Sequence, residues 1–327
     1  MARILANDGI DSAGKKILES AGHEVVTEKV TQEKLSEALK NFEAILVRSA
    51  TQVRKENIDA VPNLKLIGRA GVGMDNIDVK YAQEKGIKVV NTPAASSQSV
   101  AELVFAHLFT MARFIHDSNR AMPLSDTKEK FNSLKKKYSD GVELSGKTIG
   151  IIGAGMIGRS VAKMAAGLGM NIIFHDTIIK DVKFEMNFHP AVSSEKISFS
   201  FQCVPLEKLL AESDFITLHI PFPKGTPAVI ASKEFALMKT GAGIVNTARA
   251  GVVSETDLLT ALLSGKVAYA ALDVFEGEPV VSNEIRSHAK ISLSPHIGGS
   301  TREAQERIGI ELAEKVVEFF RTDSEFY

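Results

Sequence analysis

Short apolar runs alternate with amphipathic segments along the first hundred residues of the chain. The amphipathic segments have helical spacing, and they lie at Gly14–Ala21, Gln32–Lys40 and Val79–Lys85. The apolar runs predict strands, which lie at Ile4–Ala6, Glu24–Val26, Ala44–Val47, Leu64–Ile67 and Lys88–Val90. Strands that alternate with helices in this way are typical of a parallel sheet covered on both faces.

A second alternation of the same kind begins near residue 147. Its predicted strands are Thr148–Ile152, Asn171–His175, Asp214–His219, Gly243–Asn246, Ala268–Leu272 and Ile291–Leu293. The two series predict an α/β chain with two doubly wound parallel-sheet domains. A length of 327 residues suits that division, because it exceeds one average domain.

Two helices are predicted from the residues that would cap them. A helix over Val100–Phe114 has Ser99 and Glu102 at its start, which is the pattern of a capping box. A final helix from about Ser300 has the same pattern in Ser300 and Glu303. We therefore expect both helices to begin at these serines.

Two other segments show no strong periodicity. Met122–Ser145 is polar and rich in lysine, and it is predicted to be a surface connection. The stretch 177–204 contains Phe, His and Ser without a clear period, so a surface loop is the default expectation.

Charge and cysteine content narrow the class of protein. Lys and Arg total 39 against 40 for Asp and Glu, so neither nucleic-acid binding nor membrane-surface binding is expected. Cys203 is the single cysteine, which rules out an intramolecular disulfide and suits a reducing cytoplasm. We also expect no secretion signal, no membrane-spanning helix and no metal site.

A glycine-rich turn follows the first strand of the second series. Gly153, Gly155 and Gly158 form G-x-G-x-x-G between an apolar strand and a helix. Glycines at this spacing allow a tight turn, a close approach of pyrophosphate to the backbone, and close helix–strand packing. The helix N-terminus adds free N–H groups and the positive end of a dipole. This unit predicts a dinucleotide site.

The strand after this helix selects between the two nicotinamide dinucleotides. It ends in Asp176, and the number of residues between the glycines and Asp176 is that expected for an acid that accepts hydrogen bonds from the adenosine ribose hydroxyls. A carboxylate there repels a 2′-phosphate. The predicted cofactor is therefore NAD rather than NADP.

Three polar residues follow three later strands and have the chemistry of a hydroxy-acid dehydrogenase. Arginine binds a carboxylate through its planar fork, and histidine exchanges protons near neutral pH. A glutamate can orient the imidazole. Arg249, Glu278 and His296 are the candidates, since each lies beyond the carboxyl end of a predicted parallel strand, where α/β sheets bind ligands.

Each of these residues also has a structural interpretation. Arg249 could be a surface arginine, Glu278 a turn residue before Pro279, and His296 a core or helix-start histidine. Taken alone, the histidine is more often structural than catalytic. The placement of all three after strands of one nucleotide-binding half favours the catalytic interpretation.

The sequence resembles the D-isomer-specific 2-hydroxyacid dehydrogenases over almost its whole length, and within them the D-3-phosphoglycerate dehydrogenases. The motifs that carry the resemblance start at Val47, Gly68, Asn91, Gly153, Val245, Ala271 and Ser294, and they read VRSAT, GRAGVGMDNID, NTP, GAGMIG, VNTAR, ALDVF and SPH. Many phosphoglycerate dehydrogenases continue into a regulatory serine-binding domain. The sequence ends at Tyr327, so that domain is not expected here.

The resemblance implies a domain arrangement and a set of binding residues. A Rossmann NAD-binding domain, 99–298, is inserted into a flavodoxin-like substrate-binding domain, 1–98 and 299–327. NAD contacts are implied for Gly153, Gly155, Met156, Ile157, Gly158, Asp176, Ile220, Thr247, Ala248, Asp273, Gly298 and Gly299. It also implies a homodimer through the NAD-binding halves, with the Val100–Phe114 helix at the interface.

The resemblance further implies roles in substrate binding. Arg249 anchors the carboxylate, His296 is the acid/base and Glu278 is its partner. The backbone of Gly71, Val72 and Gly73 also holds the carboxylate, and the phosphate contacts are given by Arg48 and Arg69.

The implied reaction is NAD-dependent oxidation of D-3-phosphoglycerate to 3-phosphohydroxypyruvate, which leads into L-serine biosynthesis. One alternative is a glyoxylate or hydroxypyruvate reductase, which would need the same Arg249, Glu278 and His296 without the arginine pair. The other is an NAD-sensing binding protein of the co-repressor type, which would bind NADH with negligible turnover.

Overall fold

The computed structural model describes residues 1–187, 195–223 and 225–324. Contacts between Cα atoms divide the chain into two compact units. The first unit combines Met1–Ser99 with the chain from Gly299 onward, and the second unit is Val100–Gly298. Each unit contains a parallel sheet with helices on both faces, so the predicted α/β class is confirmed.

The first unit is built on a five-stranded parallel sheet in the order β2-β1-β3-β4-β5. Its strands are β1 Arg3–Ala6, β2 Glu24–Val26, β3 Ala44–Val47, β4 Leu66–Arg69 and β5 Lys88–Asn91. The helices are α1 Ser12–Ser20, α2 Leu35–Ala38, α3 Lys55–Asp59, α4 Val79–Glu84 and the C-terminal α13 Arg302–Ser324. One buried apolar cluster covers each face of the sheet, and α13 contributes Leu312, Ala313 and Val316 to one of them.

The second unit is built on a six-stranded parallel sheet in the order β13-β12-β11-β10-β6-β7. Its strands are β6 Thr148–Ile152, β7 Asn171–His175, β10 Phe215–Leu218, β11 Ala242–Asn246, β12 Val267–Leu272 and β13 Ile291–Leu293. The chain runs outward from β6 to β7 and then returns to the other side of β6 through β10. Ligands of open α/β sheets bind at such a reversal of strand order.

Some helices of the second unit contribute to the two apolar clusters on the faces of this sheet, and others lie on the surface of the unit. The helices are α5 Ser97–Ala112, which starts in the first unit, α6 Ile115–Ala121, α7 Lys128–Lys137, α8 Met156–Gly167, α9 Leu206–Glu212, α10 Ser232–Leu237, α11 Glu255–Leu263 and α12 Asn283–Arg286. Within the described residues, no helix has both the length and the apolarity needed to cross a membrane.

The prediction of a surface loop over 177–204 is wrong where the structure describes it. β8 Asp181–Asn187 and β9 Lys196–Gln202 form an antiparallel ribbon, while residues 188–194 lie outside the described residues. Every second side chain is apolar, and Phe184 stacks on Phe199 at 5.2 Å between ring centroids. These side chains extend the apolar cluster beside α8, so burial of one face stabilises the ribbon.

The surface connection predicted over Met122–Ser145 contains a helix, α7, that the sequence pattern did not predict. Thr127 caps it, because its hydroxyl accepts a hydrogen bond from the Lys130 N–H at 3.2 Å. Three lysines in the last turn face the negative end of the helix dipole. The polar composition therefore reflects a capped surface helix rather than a loop.

Both predicted capping boxes are also wrong. The helix α5 begins at Ser97, so Ser99 lies inside it, and its hydroxyl pairs with that of Thr301 at 2.8 Å. At the final helix, the hydroxyl of Thr301 rather than Ser300 accepts the Ala304 N–H at 3.2 Å. A hydroxyl one residue further along caps this helix, and the other helix begins two residues before its predicted serine.

Candidate active site

Arg249, Glu278 and His296 follow three adjacent strands of the second unit. Arg249 comes after β11, Glu278 after β12 and His296 after β13, and β12 pairs in parallel with both of its neighbours. The carboxyl ends of parallel strands meet at one edge of a sheet. The three candidates therefore share that edge, as their strand positions predicted.

His296 and Glu278 are in direct contact. The distance between His296 Nδ1 and Glu278 Oε2 is 2.9 Å, and Glu278 Oε1 accepts a hydrogen bond from the Phe275 N–H at 2.8 Å. A carboxylate only accepts, so Nδ1 carries the proton and Nε2 is the acceptor in the neutral imidazole. The His296 side chain is 53% exposed, which leaves Nε2 accessible to a substrate hydroxyl.

The segment that carries His296 is fixed by a buried carboxylate. Asp273 is 1% exposed and accepts hydrogen bonds from the Ser294 hydroxyl at 2.6 Å, the Ile297 N–H at 2.9 Å and the Gly298 N–H at 2.8 Å. These donors lie on both sides of His296. The structure thus shows a role for Asp273 that the sequence did not, and its contact with nicotinamide stays a prediction.

Arg249 is presented by a turn that a buried asparagine holds. The side chain of Asn246 donates to the Arg249 carbonyl at 2.9 Å and accepts from the Ala248 N–H at 3.0 Å. Arg249 Nη1 also donates to the Ala248 carbonyl at 2.7 Å, which orients the guanidinium. Sequence reasoning missed Asn246, although a polar residue that ends an apolar strand was the available signal.

The glycine turn between β6 and α8 has the geometry of an anion-binding loop. Gly153 has a φ of 103°, and a Cβ there would meet the carbonyl of His219. A Cβ on Gly158 would meet the carbonyl of Gly153, whereas one on Gly155 would meet nothing within 4 Å. Two glycines therefore permit close packing, and the third leaves an open cradle before the N-terminus of α8.

Asp176 closes this turn from the end of β7. Its Oδ2 accepts the Ala154 N–H at 2.8 Å, and its Oδ1 accepts the Ile178 and Ile179 N–H groups at 2.8 and 2.9 Å. Burial opposes ionisation, but these hydrogen bonds outweigh it and lower the pKa of the Asp176 carboxyl. The carboxylate thus shapes the loop, and its predicted contact with ribose stays a prediction.

Two buried polar atoms near this edge have no hydrogen-bond partner among the described residues. They are Thr247 Oγ1, after β11, and His219 Nδ1, after β10. Burial lowers the pKa of His219 to about 3, so the ring is neutral at physiological pH. Unpaired buried polar atoms are costly unless a ligand or water satisfies them. Together with the open cradle at Gly155, they fit a large polar cofactor such as NAD.

A separate cationic cavity lies within the first unit. Its volume is about 320 Å³, and its lining includes Arg48, Lys29 and Asp8. The Asp8 side chain is buried, yet hydrogen bonds from Thr51 and the Arg48 N–H and the charge of Lys29 together lower its pKa. Arg48 Nε is buried without a hydrogen-bond partner among the described residues. Such a cavity can accept an anion.

The loop after β4 offers two backbone donors rather than three. The Gly71 N–H already donates to the Thr92 hydroxyl at 2.8 Å. The N–H groups of Val72 and Gly73 form no hydrogen bond with any described part of the chain. Arg69 lies over this loop, and its Nη1 donates to the Ala70 carbonyl at 2.6 Å. The carboxylate contact predicted for the loop therefore rests on Val72 and Gly73.

Comparison with known proteins places these features in a family. The family model described as D-isomer specific 2-hydroxyacid dehydrogenase, NAD binding domain, matches residues 105–298, which is more than half of the chain. The chain belongs to this family. Its NAD-binding domain is thus the unit that carries the glycine turn, Arg249, Glu278 and His296.

Relatives of this dehydrogenase are named for different substrates. The chain is 42% identical to a hydroxypyruvate reductase of Thermotoga maritima over 96% of this chain and 97% of that one. It is 41% identical to a D-3-phosphoglycerate dehydrogenase of Methanocaldococcus jannaschii over 98% of this chain, but it spans 58% of that longer protein. An NAD+-bound 3-phosphoglycerate dehydrogenase structure from Entamoeba histolytica matches 98% of this chain and 95% of its own, with a TM-score of 0.75 and 27% identity.

Proposed function

We propose that this dehydrogenase oxidises D-3-phosphoglycerate to 3-phosphohydroxypyruvate with NAD, the step that leads into L-serine biosynthesis. The observation that carries the dehydrogenase chemistry is the hydrogen bond of 2.9 Å between His296 and Glu278 in the NAD-binding domain. A sensor of NAD that performs no reaction would not need an imidazole oriented in this way. The enzyme is therefore preferred over the co-repressor-type binding protein.

Each catalytic residue has a defined task in this proposal. His296 Nε2 accepts the proton of the substrate hydroxyl, while Glu278 holds Nδ1–H and stabilises the imidazolium that forms. When bound, NAD would supply the acceptor for the C2 hydrogen and its electron pair, a hydride, while the hydroxyl proton goes to His296. Arg249 binds the substrate carboxylate through its planar guanidinium.

The phosphate of the substrate is assigned to the cationic cavity of the first unit. Arg48 contributes a guanidinium with a buried, unpartnered Nε among the described residues, and Lys29 adds a second positive charge. Arg69, the last residue of the neighbouring strand β4, is proposed as a further phosphate contact. Arginine is suited to phosphate because its planar fork binds two oxygens at once.

The substitution Arg48→Gln is expected to raise KM for the phosphorylated acid by about 10- to 100-fold, as for one lost charge-assisted hydrogen bond. KM for hydroxypyruvate should change little. Steady-state kinetics with both substrates measure the difference. Arg54→Gln is the matched control, because Arg54 pairs with Asp78 at 3.1 Å in the same unit. Equal effects of Arg48→Gln on both acids would refute the phosphate assignment.

A hydroxypyruvate or glyoxylate reductase is the second candidate. It is favoured by the 42% identity to the Thermotoga maritima hydroxypyruvate reductase, which matches over nearly the full length of both proteins. Consumption of NADH with phosphohydroxypyruvate, hydroxypyruvate, glyoxylate and pyruvate side by side decides between the candidates. The highest kcat/KM on phosphohydroxypyruvate supports the first proposal, and the highest value on an unphosphorylated acid supports the second.

We also propose that the chain forms a homodimer through the second unit. Large apolar side chains are exposed between residues 109 and 142, and they are Phe109, Ile115, Met122, Leu124, Phe131 and Val142. We assign these six side chains to one interface surface, because exposed apolar side chains are typical of protein interfaces. This surface includes the end of α5, the helix expected at the interface.

The substitution Leu124→Asp is expected to raise the dissociation constant of the dimer by about 30-fold or more, the effect of losing a central apolar contact. Leu124 is 72% exposed within the isolated chain. Analytical ultracentrifugation over a range of concentrations measures the constant. Leu263→Asp is the control, since Leu263 is equally apolar and exposed but lies outside this surface. An unchanged constant for Leu124→Asp would contradict the proposed interface.

A further inference from the structure

His107 is a polar residue on the most deeply buried face of α5. It is 5% exposed and lies among Val104, Leu108 and Met111, which are all buried. A buried imidazole is costly unless both ring nitrogens are satisfied. An apolar side chain would be more favourable at this buried position unless the hydrogen bonds of the histidine have a structural or functional role.

Both nitrogens of His107 are bonded to serines at the end of the sheet. Nδ1 lies 2.9 Å from the Ser292 hydroxyl, and Nε2 lies 3.0 Å from the Ser294 hydroxyl. Ser294 gives its only hydroxyl proton to Asp273, so it must accept from His107. Nε2 therefore carries the proton, and Nδ1 accepts from Ser292. The chain of donors has one direction, from Ser292 through His107 and Ser294 to Asp273.

This chain ends on the segment that carries His296. Asp273 receives the Ser294 hydroxyl, the Ile297 N–H and the Gly298 N–H, so it binds residues on both sides of His296. The backbone of His296 has a φ of 56°, in the left-handed region that residues with a Cβ rarely adopt. Such a conformation persists only where surrounding contacts hold it.

We propose that His107 is a positioning residue for His296, acting through Ser294 and Asp273 to hold the backbone at which the imidazole meets Glu278. The inference rests on the acid/base role proposed for His296. His107 touches neither the substrate site nor Glu278 among the described contacts, so its effect is on orientation alone.

The electrostatics of the site agree with this direction of hydrogen bonding. Burial lowers the pKa of His107, the charge of Asp273 opposes that shift, and His116 adds to it. The net lowering keeps the ring neutral at neutral pH. A neutral ring is required, because Nδ1 must remain an acceptor for the Ser292 hydroxyl.

The tautomer of His107 tests the network without any assay of activity. NMR of protein whose histidines are labelled with nitrogen-15 is expected to show, at pH 7.5, that His107 is protonated at Nε2 and unprotonated at Nδ1. Assignment comes from the signal that disappears in His107→Gln. A ring protonated at Nδ1, or at both nitrogens, would overturn the proposed direction.

Two substitutions separate positioning from packing. His107→Leu removes both hydrogen bonds and is expected to lower the single-turnover rate by about 10- to 100-fold, the scale of a small misplacement of a catalytic group. His107→Gln keeps an N–H donor towards Ser294 and should recover most of that rate. The Kd for NADH, measured by fluorescence titration, should change far less than the single-turnover rate in both variants, because Asp273 and Gly298 are the only predicted NAD contacts that belong to this network of described hydrogen bonds.

Leu108→Val is the matched control, since it loosens the same buried face of α5 without touching the network. It should lower the melting temperature and leave the turnover rate unchanged. If His107→Leu reduces turnover no more than Leu108→Val does, or if His107→Gln fails to recover it, the positioning role is wrong. Full turnover in His296→Asn would instead refute the acid/base role of His296 on which this inference rests, so the two failures are distinguishable.

Discussion

His296→Asn is expected to lower kcat by about 10²- to 10⁴-fold, the contribution of a general acid–base group. Asparagine can keep a hydrogen bond to Glu278, but it cannot take the hydroxyl proton. The Kd for NADH should change little, because His296 lies outside the glycine turn that is proposed to hold the dinucleotide. Steady-state kinetics with phosphohydroxypyruvate and a fluorescence titration of NADH measure the two quantities separately.

His288→Asn is a suitable control for this substitution. His288 lies before β13, on the opposite end of the strand from His296, and its Nδ1 accepts the Lys290 N–H at 3.2 Å. An asparagine oxygen can take over that hydrogen bond, so activity should be unaffected. Turnover that survives in His296→Asn would show that another group moves the proton. A large loss of NADH affinity would show that His296 binds the cofactor instead.

The sequence predicted the strands well because their signal is local and strong. All the predicted strands occur, and each begins and ends within two residues of its expected position. Parallel strands in register bring their carboxyl ends to one edge, so residues that follow strands could be grouped before any contact was known. This is why Arg249, Glu278 and His296 were found together.

The residues that hold this group could not be predicted in the same way. Asn246 and Asp273 act through hydrogen bonds from side chains to the backbone of loops, and such bonds leave no periodic pattern. Ser294 depends on His107, which is almost two hundred residues earlier in the chain. Contacts of that separation follow from the sheet order and not from the local sequence.

Local signals also fail where they are weak or shared by neighbours. The ribbon of β8 and β9 has alternating apolar residues, but the alternation is short and is interrupted before residue 196. Ser300 and Thr301 are adjacent hydroxyl residues, and only the folded chain selects Thr301 as the cap. Gly71 shows the same limit, since its N–H is used by Thr92 from another strand end.

Arg249→Lys is expected to lower kcat/KM by about 30- to 1,000-fold for every 2-hydroxy acid, whether or not it carries a phosphate. Lysine keeps the charge but loses the planar fork, and loss of a paired, partly buried charge contact costs about 2–4 kcal/mol. The expected result differs from that of Arg48→Gln, which acts on phosphorylated acids alone. Kinetics with phosphohydroxypyruvate and glyoxylate compare the two directly.

Arg286→Lys controls for the change of arginine to lysine, because Arg286 is exposed and, within the described part of the chain, its Nε bonds only to Asn283 Oδ1, at 3.3 Å. It should behave as the unsubstituted enzyme. The carboxylate is the one group that all these substrates share beside the reacting carbon. An equal fall in kcat/KM for all of them would therefore identify the carboxylate as the group that Arg249 binds. A loss confined to the phosphorylated acid would show instead that Arg249 binds the phosphate and not the carboxylate.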